Sequence, residues 1–327
     1  MLSVCVPIYN EEESIPILYE KVNDVLCKLN REWEIILIND GSLDGSAVIM
    51  DQLAEKDSRV KVVHFRRNYG QTAAMMAGID YASGDVIIPI DADLQNDPED
   101  IPKLLAKLDE GFDVCSGWRK NRKDNGLRRN LPSRIANWII SKISGVPLHD
   151  YGCSLKAYNK DVIKGIKLYG EMHRFIPIYA SWYGAKVTEI PVTHHPRKYG
   201  QSKYGLERVV KVILDLAVVK FLDCYAQKPM YVFGGIGMLS FLLSGVAAIW
   251  ALYLKFFENI TLVQTPLPLM FVFTALTGVI CLLMGLLAEL IMRTYHESQK
   301  KDVYLVKETR NFKQDIRSLR KSSSRNY

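Results

Sequence analysis

The sequence predicts an α/β protein: a mostly parallel sheet flanked by helices, then an amphipathic helix lying in the membrane interface, then two transmembrane helices. Three observations carry this prediction. Short apolar runs alternate with helix-like segments through the first 100 residues. Each of those runs stops at polar residues. Two long uncharged stretches lie near the C-terminus.

The strand candidates are "LSVCVPI" (2–8), "EIILIND" (34–40), "VKVVHF" (60–65) and "DVIIPID" (85–91). They read as continuous apolar runs rather than alternating ones, as expected for parallel strands covered on both faces. Between them lie "ESIPILYEKVNDVLCKL", "GSAVIMDQLAE" and "GQTAAMMAGIDYA". The second follows Ser42 and Asp44, residue types that suit an N-cap. Such β-α alternation points to crossover connections and a doubly covered sheet. Further on, "SRIANWIISKI" reads as a helix and "SLKAY" as a strand.

Residues 231–254 and 267–288 carry no charge, and each is long enough to cross a hydrocarbon core of about 30 Å as a helix. Ser240, Ser244 and Ala248 make a small-residue stripe on the first, which permits helix association and with it a homo-oligomer. The preceding "GLERVVKVILDLAVVKFLD" (205–223) is nearly all apolar, and Glu207, Arg208, Lys211 and Asp215 share one helical stripe, with Lys220 and Asp223 near its end. It is read as a helix lying in the membrane interface. Basic residues flank the two spans: Lys211, Lys220 and Lys228 before, and Arg293, Lys300, Lys301, Lys307 and Arg310 after. The loop between the spans holds only Lys255, offset by Glu258. The positive-inside tendency puts both termini in the cytoplasm, giving a multi-pass integral membrane protein. The expected organisation is a cytoplasmic α/β domain over 1–204, the interfacial helix over 205–228, two spans (about 231–254 and 267–291) within 229–294, and a basic cytoplasmic tail over 295–327. The N-terminus turns polar after residue 8 with no basic stretch, so it does not read as a signal peptide. Six scattered cysteines form no C-x-x-C pair, which argues for reduced thiols rather than zinc or a disulfide framework.

In a parallel sheet, ligands bind beyond the carboxyl ends of the strands. Here those ends carry Tyr9, Asn10 and Glu11; Asn39, Asp40 and Gly41; Arg66, Arg67, Asn68 and Tyr69; and Asp91, Asp93 and Gln95. Polar loops are ordinary, and Asp, Asn and Gly make turns. "DAD" is less ordinary, because two acids one residue apart repel unless a cation lies between them. Hard oxygen ligands favour Mg2+ or Mn2+, shared with nucleotide phosphates. The chain has no G-x-x-x-x-G-K-[ST], so it is not a P-loop ATPase.

The segments "VPIYNEEESI", "NDGSLDGS", "RRNYGQTAAMMAGIDYASGD" and "DADLQNDPE" resemble the inverting GT-A glycosyltransferases of family 2. "LPSRIANWIISKISGVPLHDYGCSLKAY", "GEMHRFIP", "VTEIPVTHHPRKYGQSKYG" and the two-helix tail narrow the resemblance to the polyprenyl-phosphate type, the bacterial bactoprenol glucosyltransferases and dolichol-phosphate mannose synthases. The resemblance covers residues 1 to about 295. It implies a sugar nucleotide donor, a divalent metal and a lipid phosphate acceptor. Pro7, Tyr9, Glu11 and Asp40 would hold the donor's base and ribose, while Asp91, Asp93 and Gln95 would hold metal and diphosphate. No Q-x-x-R-W is present, which implies transfer of one sugar rather than a polymer. The implied reaction moves glucose from UDP-glucose onto polyprenyl phosphate at the cytoplasmic face. A mannose or modified-pentose transferase on the same scaffold is the alternative, and a non-catalytic scaffold or translocator of lipid-linked sugars is the different-class one.

Basic segments support a phosphate acceptor. "GWRKNRKDNGLRRNLPSR" holds seven Arg and Lys residues against Asp124. The 119–129 run suits attraction to anionic headgroups. Arg134, beside Ser133, reads as more site-like, and Arg197 and Lys203 are further phosphate ligand candidates. Nucleic acid also fits basic runs, but an acidic metal site on a membrane anchor argues against it. Asp150 falls where the family pattern places an acid near the acceptor, as base or orienting group. His173 and Arg174 are secondary candidates. His194 and His195 read as shaping their loop.

Overall fold

The structure, a computed structural model, describes residues 1–120, 137–138, 140–142, 144–164, 172–196, 229–298 and 304–312. The chain forms two compact units, Met1–Leu216 with Asp302–Tyr327, and Ala217–Lys301. The expected interfacial helix over 205–228 lies outside the described residues.

The first unit runs β1 (Leu2–Ile8), α1 (Ile15–Lys28), β2 (Trp33–Asn39), α2 (Ser46–Lys56), β3 (Val60–Phe65), α3 (Gln71–Tyr81), β4 (Val86–Pro89), α4 (Ile101–Asp109), β5 (Val114–Trp118), β6 (Lys156–Asn159), β7 (Val187–Pro191) and, after the apolar helices, β8 (Val306–Arg310). Eight strands form one sheet in the order β7-β5-β6-β4-β1-β2-β3-β8. β1 to β4 pair in parallel, as does β5 with β7. β6 runs against β4 and β5, and β8 against β3. The sheet is therefore mostly parallel, as the apolar runs predict.

β1 and β2 are buried almost throughout, so their helices must cover both faces. α1 lays Leu18, Val22 and Leu26 onto one face. α3 lies on β1 and β2 over the other, and its residues from Thr72 to Ile79 are all buried. Its run of Ala and Gly permits that close approach. A Cβ on Gly78 would stand 2.8 Å from the Cys5 Cβ and 3.3 Å from Ile38 Cδ1. At the amino-terminal rim a buried charge is fully answered. Glu34 accepts from Ser3 Oγ at 2.6 Å and from the Ser83 N–H at 2.7 Å, and pairs with Lys61. Burial alone would raise its carboxyl, but the hydrogen bonds from Lys61, Ser3 and Ser83 hold it below the ordinary range.

The strand β8 lies within the segment expected as a basic tail. "VKETR" has one apolar residue and no alternation, so nothing in its pattern signals a strand. It is a short, charged edge strand, the form that suits a sheet border.

The second unit holds the helices Pro229–Phe257 and Leu267–Ser298. Met230–Phe257 and Leu267–Ala288 have mean hydropathies of 2.0 and 2.4, and most of their side chains face outward. Leu239, Leu243, Ile249, Phe273 and Leu283 are all more than half exposed, an apolar surface suited to lipid rather than water. Between the helices, Ser244 Oγ donates to the Phe271 carbonyl at 3.0 Å, and Gly237 lies against the Gly278 carbonyl. At Ser244 the small-residue stripe thus serves the pairing of these two helices.

Replacing Gly78 by Ala should lower stability by about 1–2 kcal/mol, because crowding the fixed Cβ of Cys5 outweighs the roughly 1 kcal/mol that alanine adds to a helix. Chemical denaturation of the two proteins side by side measures it, and an unchanged midpoint would show that α3 can lift off β1.

Candidate functional site

The sheet has one topological switch point. From β1 the chain steps through β2 to β3 on one side, then returns to place β4 on the other. The crevice between the ends of β1 and β4 is where such sheets bind ligands. Pro7 helps to open it. The Ile90 N–H donates to the Cys5 carbonyl at 3.0 Å. The next rung of a parallel ladder would have residue 7 donate to residue 90, and proline has no N–H. The two strands part there.

Two loops at this rim lock each other. Asn10, at φ 55°, accepts from the Leu43 N–H at 2.8 Å and donates its own N–H to Ser42 Oγ at 3.1 Å. The Glu11 N–H donates to Ser46 Oγ, and the Gly45 N–H to Glu12 Oε2. The motifs "YNEEES" and "NDGSLDGS" are thus two halves of one brace, with Tyr9 and Glu11 half-buried beside the crevice. Asp40 is 3% exposed, and its two oxygens accept from the Tyr69 N–H at 2.6 Å and the Gly70 N–H at 2.9 Å. Burial pushes its carboxyl up, and those two N–H groups pull it back only in part. Asp40, expected at the donor's base or ribose, here draws the 66–70 loop down onto the rim. Gly41 makes room for this at φ 68°, since a Cβ there would stand 2.5 Å from the Arg67 carbonyl carbon.

Asp91 and Asp93 follow β4 directly. The half-buried Asp91 accepts from Gln71 Nε2, at the start of α3, at 2.9 Å, and Ser154 also hydrogen bonds to it. Asp93 is 9% exposed and accepts from the Gln95 N–H at 3.2 Å. Between them and Gln95 the backbone turns through Leu94 at φ 58°, a conformation that costs a leucine energy and that concentrates at functional sites. The loop is tethered from below. The His195 N–H donates to the Gln95 carbonyl, His195 Nε2 meets Asp97 Oδ2 at 2.8 Å, and Asn96 bridges His194. The histidines thus shape the loop, as expected. Burial first, and then the charge of Asp93, raise the Asp91 carboxyl. At the opposite rim Lys61, Ser3 and Ser83 hold the Glu34 carboxyl down, whereas Ser154, Arg119 and Gln71 offset the rise at Asp91 only in part. Among the described residues no three His, Cys, Asp or Glu side chains gather as a protein-only metal cage. Two carboxylates on alternate positions after β4, one of them raised by burial and by the other's charge, fit a divalent cation whose remaining ligands come from a bound anion.

Asp150 is 4% exposed and is gripped by Arg119, whose Nε and Nη2 donate to its two oxygens at 2.7 and 3.0 Å. The Gly152 N–H adds a third donor at 3.0 Å. A Cβ on Gly152 would lie 3.1 Å from Arg119 Nη2 and 3.6 Å from Arg174 Nη1, so both guanidinium groups converge over that glycine. Lys156 is buried in β6 and donates to the Tyr151 carbonyl at 3.1 Å. Burial pushes its ammonium down to about 8, while Asp150 favours the charge. His173 Nδ1 meets Thr72 Oγ1 at 2.7 Å, tying that segment to α3. Positive charge thus gathers on the Asp150 side of the crevice, close enough that Arg119 also lowers the Asp91 carboxyl. Buried Cys115 and Cys153 have thiols pushed up to about 12 and about 11, which keeps them protonated and unreactive.

The structure thus brings Pro7, Tyr9, Glu11, Asp40, Asp91, Asp93 and Gln95 to one rim, with Asp150 and Arg174 beside Arg119. Ser133, Arg134, Arg197 and Lys203 lie outside the described residues. Sequence reasoning assigned the 119–129 run to headgroups and so missed Arg119, which follows β5 and is half-buried against Asp150. It also missed Gln71, Ser154 and Lys156. Only Lys156 carried a signal, as a lone charge inside the apolar strand "SLKAY".

The family model described as Glycosyl transferase family 2 matches residues 3–167. Dodecaprenyl-phosphate galacturonate synthase of Rhizobium johnstonii is 42% identical over 94% of this chain and 92% of its own length. Undecaprenyl-phosphate 4-deoxy-4-formamido-L-arabinose transferase of Salmonella choleraesuis is 37% identical over 94% and 93%. Among solved structures, glucosyl-3-phosphoglycerate synthase from Mycobacterium tuberculosis, in complex with Mn2+, UDP and phosphoglyceric acid, aligns with a TM-score of 0.53 at 15% identity, over 68% of this chain and 78% of that one. The same enzyme with Mn2+, UDP-glucose and phosphoglyceric acid gives 0.52 over 68% and 79%, again at 15% identity. At that identity the likeness is one of fold, and the fold is GT-A.

Lys156 yields a pH prediction. Its folded pKa, about 8, lies below the ordinary 10.5, so between those values the unfolded chain holds more protons and stability should rise with pH. Lys156→Met should remove that rise, and the stability difference between the two proteins should change by on the order of 3 kcal/mol across the window. Denaturant titrations at pH 7, 9 and 10.5 measure it. Parallel curves would show that Asp150 keeps the ammonium charged throughout.

Proposed function

The chain belongs to glycosyl transferase family 2, and from that premise we propose that it moves one sugar from a sugar nucleotide onto the phosphate of a polyprenyl lipid. One observation supports this above the others. The carboxylates of Asp91 and Asp93 and the guanidinium groups of Arg119 and Arg174 gather at one crevice at the switch point. The chain that builds it matches polyprenyl-phosphate sugar transferases over 94% of its length, including the apolar helices.

The acceptor's phosphate is its own nucleophile. A phosphate monoester has its second pKa near ~6, so at neutral pH an anionic oxygen is ready to attack the anomeric carbon without a strong general base. The new bond forms to that carbon as the bond to the nucleoside diphosphate breaks on the opposite face, inverting its configuration. Asp150 suits an orienting role. Arg119 and the Gly152 N–H already engage its oxygens, so it holds a guanidinium in place for phosphate rather than standing free as a base. Arg174 adds a second guanidinium over Gly152. Asp91 and Asp93 are the residues that would hold Mg2+ or Mn2+, and such an ion, when bound, neutralises charge on the leaving diphosphate. Ser133, Arg134, Arg197 and Lys203 remain candidates for the acceptor phosphate. His173 serves by position, through Thr72.

The finer reading concerns the sugar. The relatives named for galacturonate and for 4-deoxy-4-formamido-L-arabinose favour a uronate or a modified pentose over the glucose that the motifs alone suggested. A uridine nucleotide is the donor carrier in this reading. Topology is the other fine point. β8 follows both apolar helices yet joins the same sheet as β1, so the chain must return to the side it left. Two crossings do this, and the basic flanks put the shared side in the cytoplasm.

With undecaprenyl phosphate and equal UDP-glucose, UDP-galacturonate and UDP-4-deoxy-4-formamido-L-arabinose, membranes holding the protein should form one glycolipid whose mass identifies the sugar. Asp93→Ala should insert normally but transfer at least 100-fold more slowly, and chelation should silence the wild type likewise. No product from any donor would reject the function, and full activity in chelator would reject the metal. A tag beside Asn259 should be reached only from outside the cytoplasmic membrane, and tags at residues 1 and 327 only from within. A cytoplasmic signal from Asn259 would sink the two-span arrangement.

A further inference from the structure

The 66–70 loop is held onto Asp40 from the front, and the last strand of the chain holds it from behind. Tyr304 is 4% exposed. Its ring stacks on Phe65, the last residue of β3, at 4.9 Å and 20°. Its hydroxyl donates to Asp80 Oδ2, on α3, at 2.7 Å. One side chain thereby joins the element before the loop to the element after it. The next residue continues the grip, because the Arg66 N–H donates to the Leu305 carbonyl at 3.1 Å. Phe65 in turn meets Tyr69 edge-on at 5.7 Å, and Tyr69 supplies one of the two N–H groups that Asp40 accepts.

The strand is anchored along its whole length. Asn311 Nδ2 donates to the Ala54 and Val60 carbonyls at 2.6 and 2.8 Å, and Phe312 packs on Tyr81. A second line runs to the neighbouring rim loop. Arg310 pairs with Asp51, Asp51 with His64 Nε2, and His64 Nδ1 with Asn39 Nδ2, while Asn39 Oδ1 accepts from the Ser42 N–H. Both lines end on loops that border the crevice.

We propose that Tyr304 and β8, which the chain reaches only after both apolar helices, are positioning elements of the nucleotide site, holding the 66–70 loop in the conformation that closes on Asp40. This rests on the reading of that rim as the donor site. The residues after the second helix are then part of the catalytic domain's working structure and not a dispensable tail.

The test uses the full chain in detergent, with UDP plus Mn2+ as probe and amide hydrogen exchange as a readout that needs no ligand. Tyr304→Ala should speed exchange in the 66–72 segment and leave β1 and β2 unchanged. It should weaken UDP binding about tenfold, the size of one aromatic pair. In the transfer assay the donor KM should rise with kcat within about twofold, since no group touching the reacting atoms is altered. Tyr304→Phe keeps the stack and loses only the hydroxyl, so it should restore most of the binding. Unchanged exchange in 66–72 with unchanged UDP affinity in Tyr304→Ala would overturn the proposal. A wild-type chain that does not bind UDP would reject the donor reading of the rim, while the exchange data still judge whether β8 holds the loop.

Discussion

The structure depends on the parting of β1 and β4. A parallel sheet delivers every strand's carboxyl end to one rim, but a crevice opens only where successive connections turn in opposite directions. Here that place coincides with a proline that cannot supply the next rung. Strand-end polar residues border this gap: Asp40 beyond β2, Asp91 and Asp93 beyond β4, Tyr9 and Glu11 beyond β1. Glu34, at the other end of the same strands, is buried and paired with Lys61, with Ser3 and the Ser83 N–H donating to its other oxygen. One end of the sheet pairs its buried acid with a lysine, and the other gathers several acids, where burial raises the carboxyls of Asp40 and Asp91.

That imbalance is arranged by sign. Negative charge gathers on the β4 side, and positive charge on the side of Arg119, Arg174 and Lys156. The proposed transfer would use this division, because a donor diphosphate with its cation and an acceptor phosphate must each find a counter-charge without bringing the two anions together. Asp150 sits within the positive half and fixes Arg119 in a bidentate grip. Removing water from a buried ammonium such as Lys156 costs stability, offset in part by its place beside Asp150 and its hydrogen bond to the Tyr151 carbonyl.

The rim loops are not self-supporting. The β1 and β2 loops brace each other through Asn10, Ser42, Glu12 and Gly45. The β3 loop instead meets Asp40 in front and β8 behind. The chain leaves the catalytic domain, forms an apolar hairpin whose outward side chains suit lipid, and comes back to complete the sheet edge. A lipid-linked acceptor makes such an anchor useful, since its phosphate lies at the headgroup plane.

Much of this was legible in the residues. The four central strands, their helices, the apolar pair of spans and the strand-end clusters follow from periodicity and local chemistry, which are properties of short segments. The convergence of Asp40 and the Asp91–Asp93 pair could be anticipated, because a parallel sheet leaves them nowhere else to go. What the residues alone could not reveal depends on contacts between distant segments. Arg119 stood in a basic run indistinguishable from a headgroup-binding stretch until its pairing with Asp150, 31 positions on, set its role. That the Asp40 oxygens also accept from the Tyr69 and Gly70 amides depends on a loop some thirty positions further along. "VKETR" has no strand pattern, because an edge strand needs only backbone groups and a neighbour to pair with, and here that neighbour is β3, more than two hundred residues earlier in the chain. Local sequence determined which elements form and where the acids stand; only tertiary packing decided which charges are answered, because a counter-charge is a matter of distance in space and not of spacing along the chain.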